Sequence, residues 1–201
     1  MKHKAYLAFY KAWNNKYSTF EDRAIAVWTN GPYSHVEMII YDEEAGYYKM
    51  CSALGNCNCV RCKKHRFNTD LYDYLEIELE EPKRVLEFFD LIKGSKYDYL
   101  GIVLSQIFPL GVDNPNEWFC SEVCTKVCQL AAIDDKHLWK SKPESLSPNL
   151  LAYRLGLIKR TKKKPFIFNL NLLFKKHLHS IYTPFNIMLV NSVSEDDLPI
   201  L

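Results

Sequence analysis

With 201 residues, 48% of them apolar and 14% aromatic, the chain is long enough to bury a substantial core without disulfide staples. Its 26 basic and 24 acidic side chains leave a net charge of +2, a balance that argues against nucleic acid as a general partner. No apolar run reaches the length of about 18 residues needed to span a bilayer, and the opening MKHKAYLAFYKAWNN lacks a leader pattern, so neither a transmembrane helix nor a signal peptide is expected.

In chain order, KAYLAFYK at 4–11 is predicted as a first strand. STFEDRAIAVWT, from Ser18 to Thr29, is predicted as a helix with Ser18 and Glu21 as its capping box. Gly31 and Pro32 signal a turn, and the β-favouring run that follows predicts a strand from near Ser34 through Tyr41. Alternation puts His35, Glu37 and Ile39 on one side of it, expected to share a cleft, and Val36, Met38 and Ile40 on the inward side. Further strands are predicted near 46–53, 58–63 and 72–80, the first two paired as a hairpin through Leu54 to Cys57. Pro82 lies early in a helix reaching Lys93, as proline tolerates a first turn. A turn at Gly94 and a short helix after Asp98 follow, and a last helix begins close to Phe119 and Cys120 and runs to about Ala132.

Two of these elements carry chemistry. His35 offers an imidazole on a strand, and Glu37, two residues on, is placed to fix its tautomer and stabilise its cation. Cys120 opens a helix, where the dipole and free backbone amides lower a thiol's pKa and leave donors for an oxyanion. The pair supplies a nucleophile and a general base. Cys124 and Cys128, one and two turns further, lose that advantage and read as small apolar core residues.

Other clusters are weighed beside it. Cys51, Cys57, Cys59, Cys62 and His65 lie close enough to suggest a zinc site, but a second CxxC is missing and alternate strand positions project in parallel, so structural thiols are preferred and no metal is assigned. Tyr97 and Asp98 in YDYLG are candidates to line a substrate cleft, or else Asp98 caps the following helix and the tyrosines pack on the sheet. Tyr33 is a candidate to lend a hydroxyl near the oxyanion or to close a turn. Beyond Gly156, the basic run KRTKKK precedes an apolar and aromatic stretch and an acidic end. Residues 157–201 are therefore expected as a basic linker and an extension that packs on the domain, on a protein partner or against a membrane surface.

Taken together, YSHVE at 33–37, CSALG at 51–55, YDYLG at 97–101, FCSE at 119–122 and LSPNLL at 146–151 resemble the circularly permuted branch of the papain-like NlpC/P60 superfamily, the YiiX-like group with poxvirus and phage members. The resemblance covers roughly residues 5–155, with the His string before the Cys string. It implies an α+β fold in residues 1–156, with an antiparallel sheet or open barrel and the nucleophile at a helix N-terminus. It further implies Cys120 as nucleophile, His35 as base, and Glu37 as the third polar group, with Ser52 as the alternative. The expected activity is that of a cysteine peptidase, amidase or acyl transferase on a peptide, amide or lipid-ester substrate, with no cofactor. A papain-like module that binds such a ligand without turnover is the alternative. Seven cysteines, an odd number including one reactive thiol, point to the cytoplasm of a cell or of an infected host.

Overall fold

The computed structural model describes residues 2–13, 15–98, 117–131 and 140–159. The chain divides into two units, Met1–Lys162 and Lys163–Leu201, and all the described residues lie in the first. That unit is α+β, built on an antiparallel five-stranded sheet.

The strands are β1 (His3–Lys11), β2 (Tyr33–Asp42), β3 (Tyr47–Leu54), β4 (Cys59–Lys64) and β5 (Tyr72–Leu79), in the order β4-β3-β2-β1-β5. Each had been marked by alternation or β-branched content, and each lies within a few residues of its predicted span. Because β1 is an inner strand, it pairs on one edge with β2 and on the other with β5, bringing residues far apart in sequence to opposite sides of one strand. A 3₁₀ turn, Gly55–Cys57, joins β3 to β4, and Asn58 leaves it in the left-handed conformation with φ 50°.

One face of the sheet carries Leu7, Phe9, Val36, Met38, Ile40, Cys51 and Ala53 into the main core, shared with helix α2 (Pro82–Ile92) and helix α3 (Cys120–Leu130). Helix α3 is buried almost all round: both the valine stripe, Val123 and Val127, and the cysteine stripe, Cys124 and Cys128, are fully enclosed. The opposite face is buried too, under an aromatic layer of Tyr6, Tyr48, Tyr72 and Tyr74 packed on Ala8, Ile39 and Met50. Phe67, from the β4–β5 connection, packs edge-on against Tyr6 and Tyr48.

Helix α1 (Phe20–Trp28) starts later than predicted. Thr19 and Asp22, rather than Ser18 and Glu21, form the capping box: Asp22 N donates to Thr19 Oγ1 at 3.2 Å and Thr19 N donates to Asp22 Oδ2 at 2.9 Å. Ser18 Oγ is drawn away to the Ala12 carbonyl at 2.7 Å, and the shifted register frees Asp22 to accept from Ser34 Oγ, also at 2.7 Å. A further helix, α4 (Pro148–Arg154), begins within the LSPNLL string, capped by Ser147, whose Oγ accepts from Leu150 N.

The cysteine cluster is corrected. Cys51 and Cys62 are directly opposed on β3 and β4 and form a disulfide, and Cys57 and Cys59 form a second one, in place of the free structural thiols expected. Among the described residues no group of His, Cys, Asp and Glu is arranged to hold a metal. Nor is any helix among them long and apolar enough to cross a membrane. The helix expected after Asp98, and nearly all of the extension at 157–201, lie outside the described residues.

Candidate active site

The site forms where the start of β2 meets the start of α3. Two short strands, β6 (Lys96–Tyr97) and β7 (Glu117–Trp118), pair in parallel and deliver the chain to Phe119, the N-cap of α3. Glu122, at the third helical position, accepts from the Phe119 amide through Oε2 at 3.2 Å, which fixes where the helix opens. Cys120 is thereby the first helical residue, and the first-turn amides have no intrahelical acceptor.

Cys120 is 3% exposed, and the His35 side chain is 16% exposed. Burial alone raises a thiol's pKa, as it does for Cys124, pushed well up, and for Cys128, pushed up to about 12. Cys120 goes the other way. Burial opposes ionisation there as well, but the His35 charge and hydrogen bond, with the amides of Val36 and Ser121 donating to the sulfur, bring it below its ordinary value. The converse holds at His35: burial lowers its pKa, but the Cys120 charge and hydrogen bond, followed by Glu37 and Asp22, raise it to about 9. Each partner thus favours the charged form of the other.

Among the described residues His35 Nε2 makes no hydrogen bond, and it faces Glu37 Oε1 at 3.8 Å. The expected neighbours His35 and Glu37 are therefore brought together, with one correction. Glu37 is 2% exposed and lies beneath the aromatic layer instead of lining an open cleft. Its Oε1 accepts from Tyr72 Oη at 3.1 Å, and this contact and burial push the Tyr72 phenol upward. Ala8 stands opposite both Glu37 and Tyr74 in the ladder; its small side chain leaves space for β5 tyrosines to reach across β1.

The remaining expected site residues are placed as follows. Ser52 is fully buried, and its Oγ donates to the Val36 carbonyl at 2.9 Å, so it braces the His strand and is not turned to His35. Tyr33 Oη donates to Asp73 Oδ2 at 2.8 Å, a contact that closes the sheet end and takes its hydroxyl away from an oxyanion role. Tyr97 and Asp98 are buried in the β6 segment, where Tyr97 N donates to Asn58 Oδ1 and Asp98 N donates to the Trp118 carbonyl. They position β7, and through it Cys120.

Three residues matter here that sequence reading passed over. Tyr72 left no local signal, since its role depends on sheet order. Asp22 sat one position beyond the expected capping box. Asn149, within LSPNLL, clamps the backbone two residues before His35: its Oδ1 accepts from Tyr33 N at 3.0 Å, and its Nδ2 donates to the Tyr33 carbonyl at 2.8 Å and to Thr29 Oγ1 at 2.6 Å. A Cβ at Gly31 would collide with that Asn149 side chain, so the turn before the His strand needs glycine. Compared with known proteins, the sequence matches no family model and no curated protein.

Proposed function

We propose that the chain is a cysteine hydrolase, an amidase or peptidase or else an acyl transferase that passes through a thioester, acting on a peptide, amide or lipid-ester carbonyl. The observation that carries this reading is a buried thiol at the first position of a helix beside a largely buried imidazole, which draws it down, with Glu37 3.8 Å from that imidazole. The motif resemblance to the permuted papain-like superfamily supports it with the same pair in the same order.

In the proposed mechanism His35 holds the Cys120 proton, with Glu37 stabilising the imidazolium. The thiolate attacks the carbonyl, and the amides at the start of α3 receive the oxyanion. On collapse the leaving amine or alcohol takes the proton from His35, and a thioester remains on Cys120. His35 then accepts a proton from water or from a second acceptor, which attacks the thioester and frees the thiol. We place this work in the cytoplasm of a cell or of an infected host. The extension at 157–201 would supply contact with a protein or a membrane surface.

The competing reading, a papain-like module that binds its ligand without turnover, draws on the small exposure of Cys120, 3%. One experiment separates the two. The protein is mixed with p-nitrophenyl esters of graded acyl length and with peptide anilides, and intact mass and product release are followed in wild type, Cys120→Ala and His35→Ala. An acyl adduct on Cys120 with a burst of product, absent from both variants, is expected. Tight binding with no adduct would leave the binding module standing and end the hydrolase reading.

A further inference from the structure

We propose that Cys57 and Cys59 form a redox-active disulfide site whose reaction partner is a small dithiol, and that Asn58 between them carries the state of that site to the start of the Cys120 helix. The two disulfides of the β3–β4 hairpin differ in access. Cys51 is fully buried, whereas Cys57 is exposed. They differ also in the loop they close: the sequence separation is 11 for Cys51–Cys62 and 2 for Cys57–Cys59. A bridge over so short a loop removes least entropy from the unfolded chain, so folding holds it closed least. Exposure lets a thiolate reach it first. The opened thiol of Cys57 also finds acceptors in place, with its sulfur 3.6 Å from the Leu54 carbonyl oxygen and 3.4 Å from that of Cys59.

The chemistry is a two-electron exchange. A thiolate of the partner attacks the Cys57 sulfur, the protein S–S bond breaks, and Cys59 leaves as a thiolate. The partner's second thiolate then displaces Cys57 from the mixed disulfide. The partner ends as a disulfide, the protein as a dithiol, and the partner's two protons end on Cys57 and Cys59.

The connection to Cys120 runs through backbone and one side chain. The Cys57–Cys59 ring encloses Asn58 in the left-handed conformation, φ 50°, which a non-glycine residue adopts at a cost. From there Asn58 Oδ1 accepts from Tyr97 N at 3.1 Å. Val60 and Gly94 complete the junction, with Val60 N donating to the Ser95 carbonyl and Gly94 N donating to the Val60 carbonyl. Tyr97 pairs with Trp118, and Phe119 and Cys120 follow directly. Opening the ring lets Asn58 relax, the Tyr97 amide loses its acceptor, and the start of α3, with Cys120 and the Ser121 amide, shifts with β7.

The test uses the full chain in dithiothreitol buffers stepped in their reduced-to-oxidised ratio, acid-quenched, labelled with N-ethylmaleimide and read residue by residue by mass spectrometry. Cys57 and Cys59 should gain label together at a ratio where Cys51 and Cys62 carry none. Protein poised in each state, freed of dithiothreitol and pulsed with iodoacetamide, should alkylate at Cys120 on the order of threefold more slowly once Cys57 and Cys59 are reduced. Asn58→Gly keeps the left-handed backbone and removes the acceptor, so the two states of that variant should react alike. The proposal is overturned if Cys57–Cys59 opens no earlier than Cys51–Cys62, if wild-type Cys120 reacts equally in both states, or if Asn58→Gly retains the wild-type difference. None of these readouts requires turnover, so an inactive enzyme would sink the hydrolase reading and leave this one intact.

Discussion

Replacing His35 by alanine tests the site most directly, because helix α3 carries its own reference thiols. Cys120 and Cys128 are both buried, at 3% and 0% exposure, yet burial takes Cys128 up to about 12 while Cys120 lies below its ordinary value. What separates them is first the His35 charge and hydrogen bond, then the Val36 and Ser121 amides. His35→Ala strips the first contribution and leaves the second, so the Cys120 thiol should move part of the way toward Cys128. Each tenfold loss of thiolate at neutral pH that follows corresponds to about 1.4 kcal/mol. The assay is iodoacetamide alkylation from pH 5 to 10, read by peptide mass spectrometry at Cys120, Cys124 and Cys128 in both proteins. Wild-type Cys120 should titrate below the free-thiol value of about 8.5 and outpace its two neighbours at neutral pH. If Cys120 labels no faster than Cys128, or if its profile is the same without His35, the thiolate–imidazolium pair does not exist.

Further outcomes are expected. Cys120→Ser removes the largest raising influence on His35, so burial should draw its titration down from about 9, measurable by NMR of the ring protons. The wild-type His35 value lies above the unfolded 6.5, so its stabilising contribution is fully present below pH 6.5 and is lost as pH rises through about 9. Urea unfolding of wild type against His35→Gln should show the gap closing across that window. Asn149→Ala leaves the buried Tyr33 amide and carbonyl unpaired, and should cost about 2–4 kcal/mol, roughly 4–16 °C in Tm by calorimetry. An unchanged Tm would mean that Asn149 does not hold the His strand. Tyr72→Phe takes the donor from a buried carboxylate and should cost about 1–3 kcal/mol in urea unfolding. The same change should raise the His35 titration further, as Glu37 turns its charge to the imidazolium.

Periodicity and punctuation in the chain determined much of this. The β-favouring run from Val36 to Tyr41 required a strand, and with it His35 and Glu37 on a common face; the Asn and Pro turn residues upstream required a helix opening close to Phe119 and Cys120. Those are short-range facts, settled by neighbours within a turn or two of backbone. The pairing of strands is not local. Only the order β2-β1-β5 puts Tyr72 of β5 within hydrogen-bond reach of Glu37, across an alanine small enough to permit it. Only the return of α4 to the sheet places Asn149 against Tyr33, and only the register of β3 on β4 sets Cys51 opposite Cys62. Even the α1 cap was settled this way: Ser18 and Thr19 are equivalent candidates by residue type, and the decision for Thr19 came from the Ala12 carbonyl that claimed Ser18. A sequence specifies which face a side chain occupies, because that depends on the backbone period. Which side chain meets it there depends on how distant segments bury their apolar faces together, and that is decided by the tertiary structure.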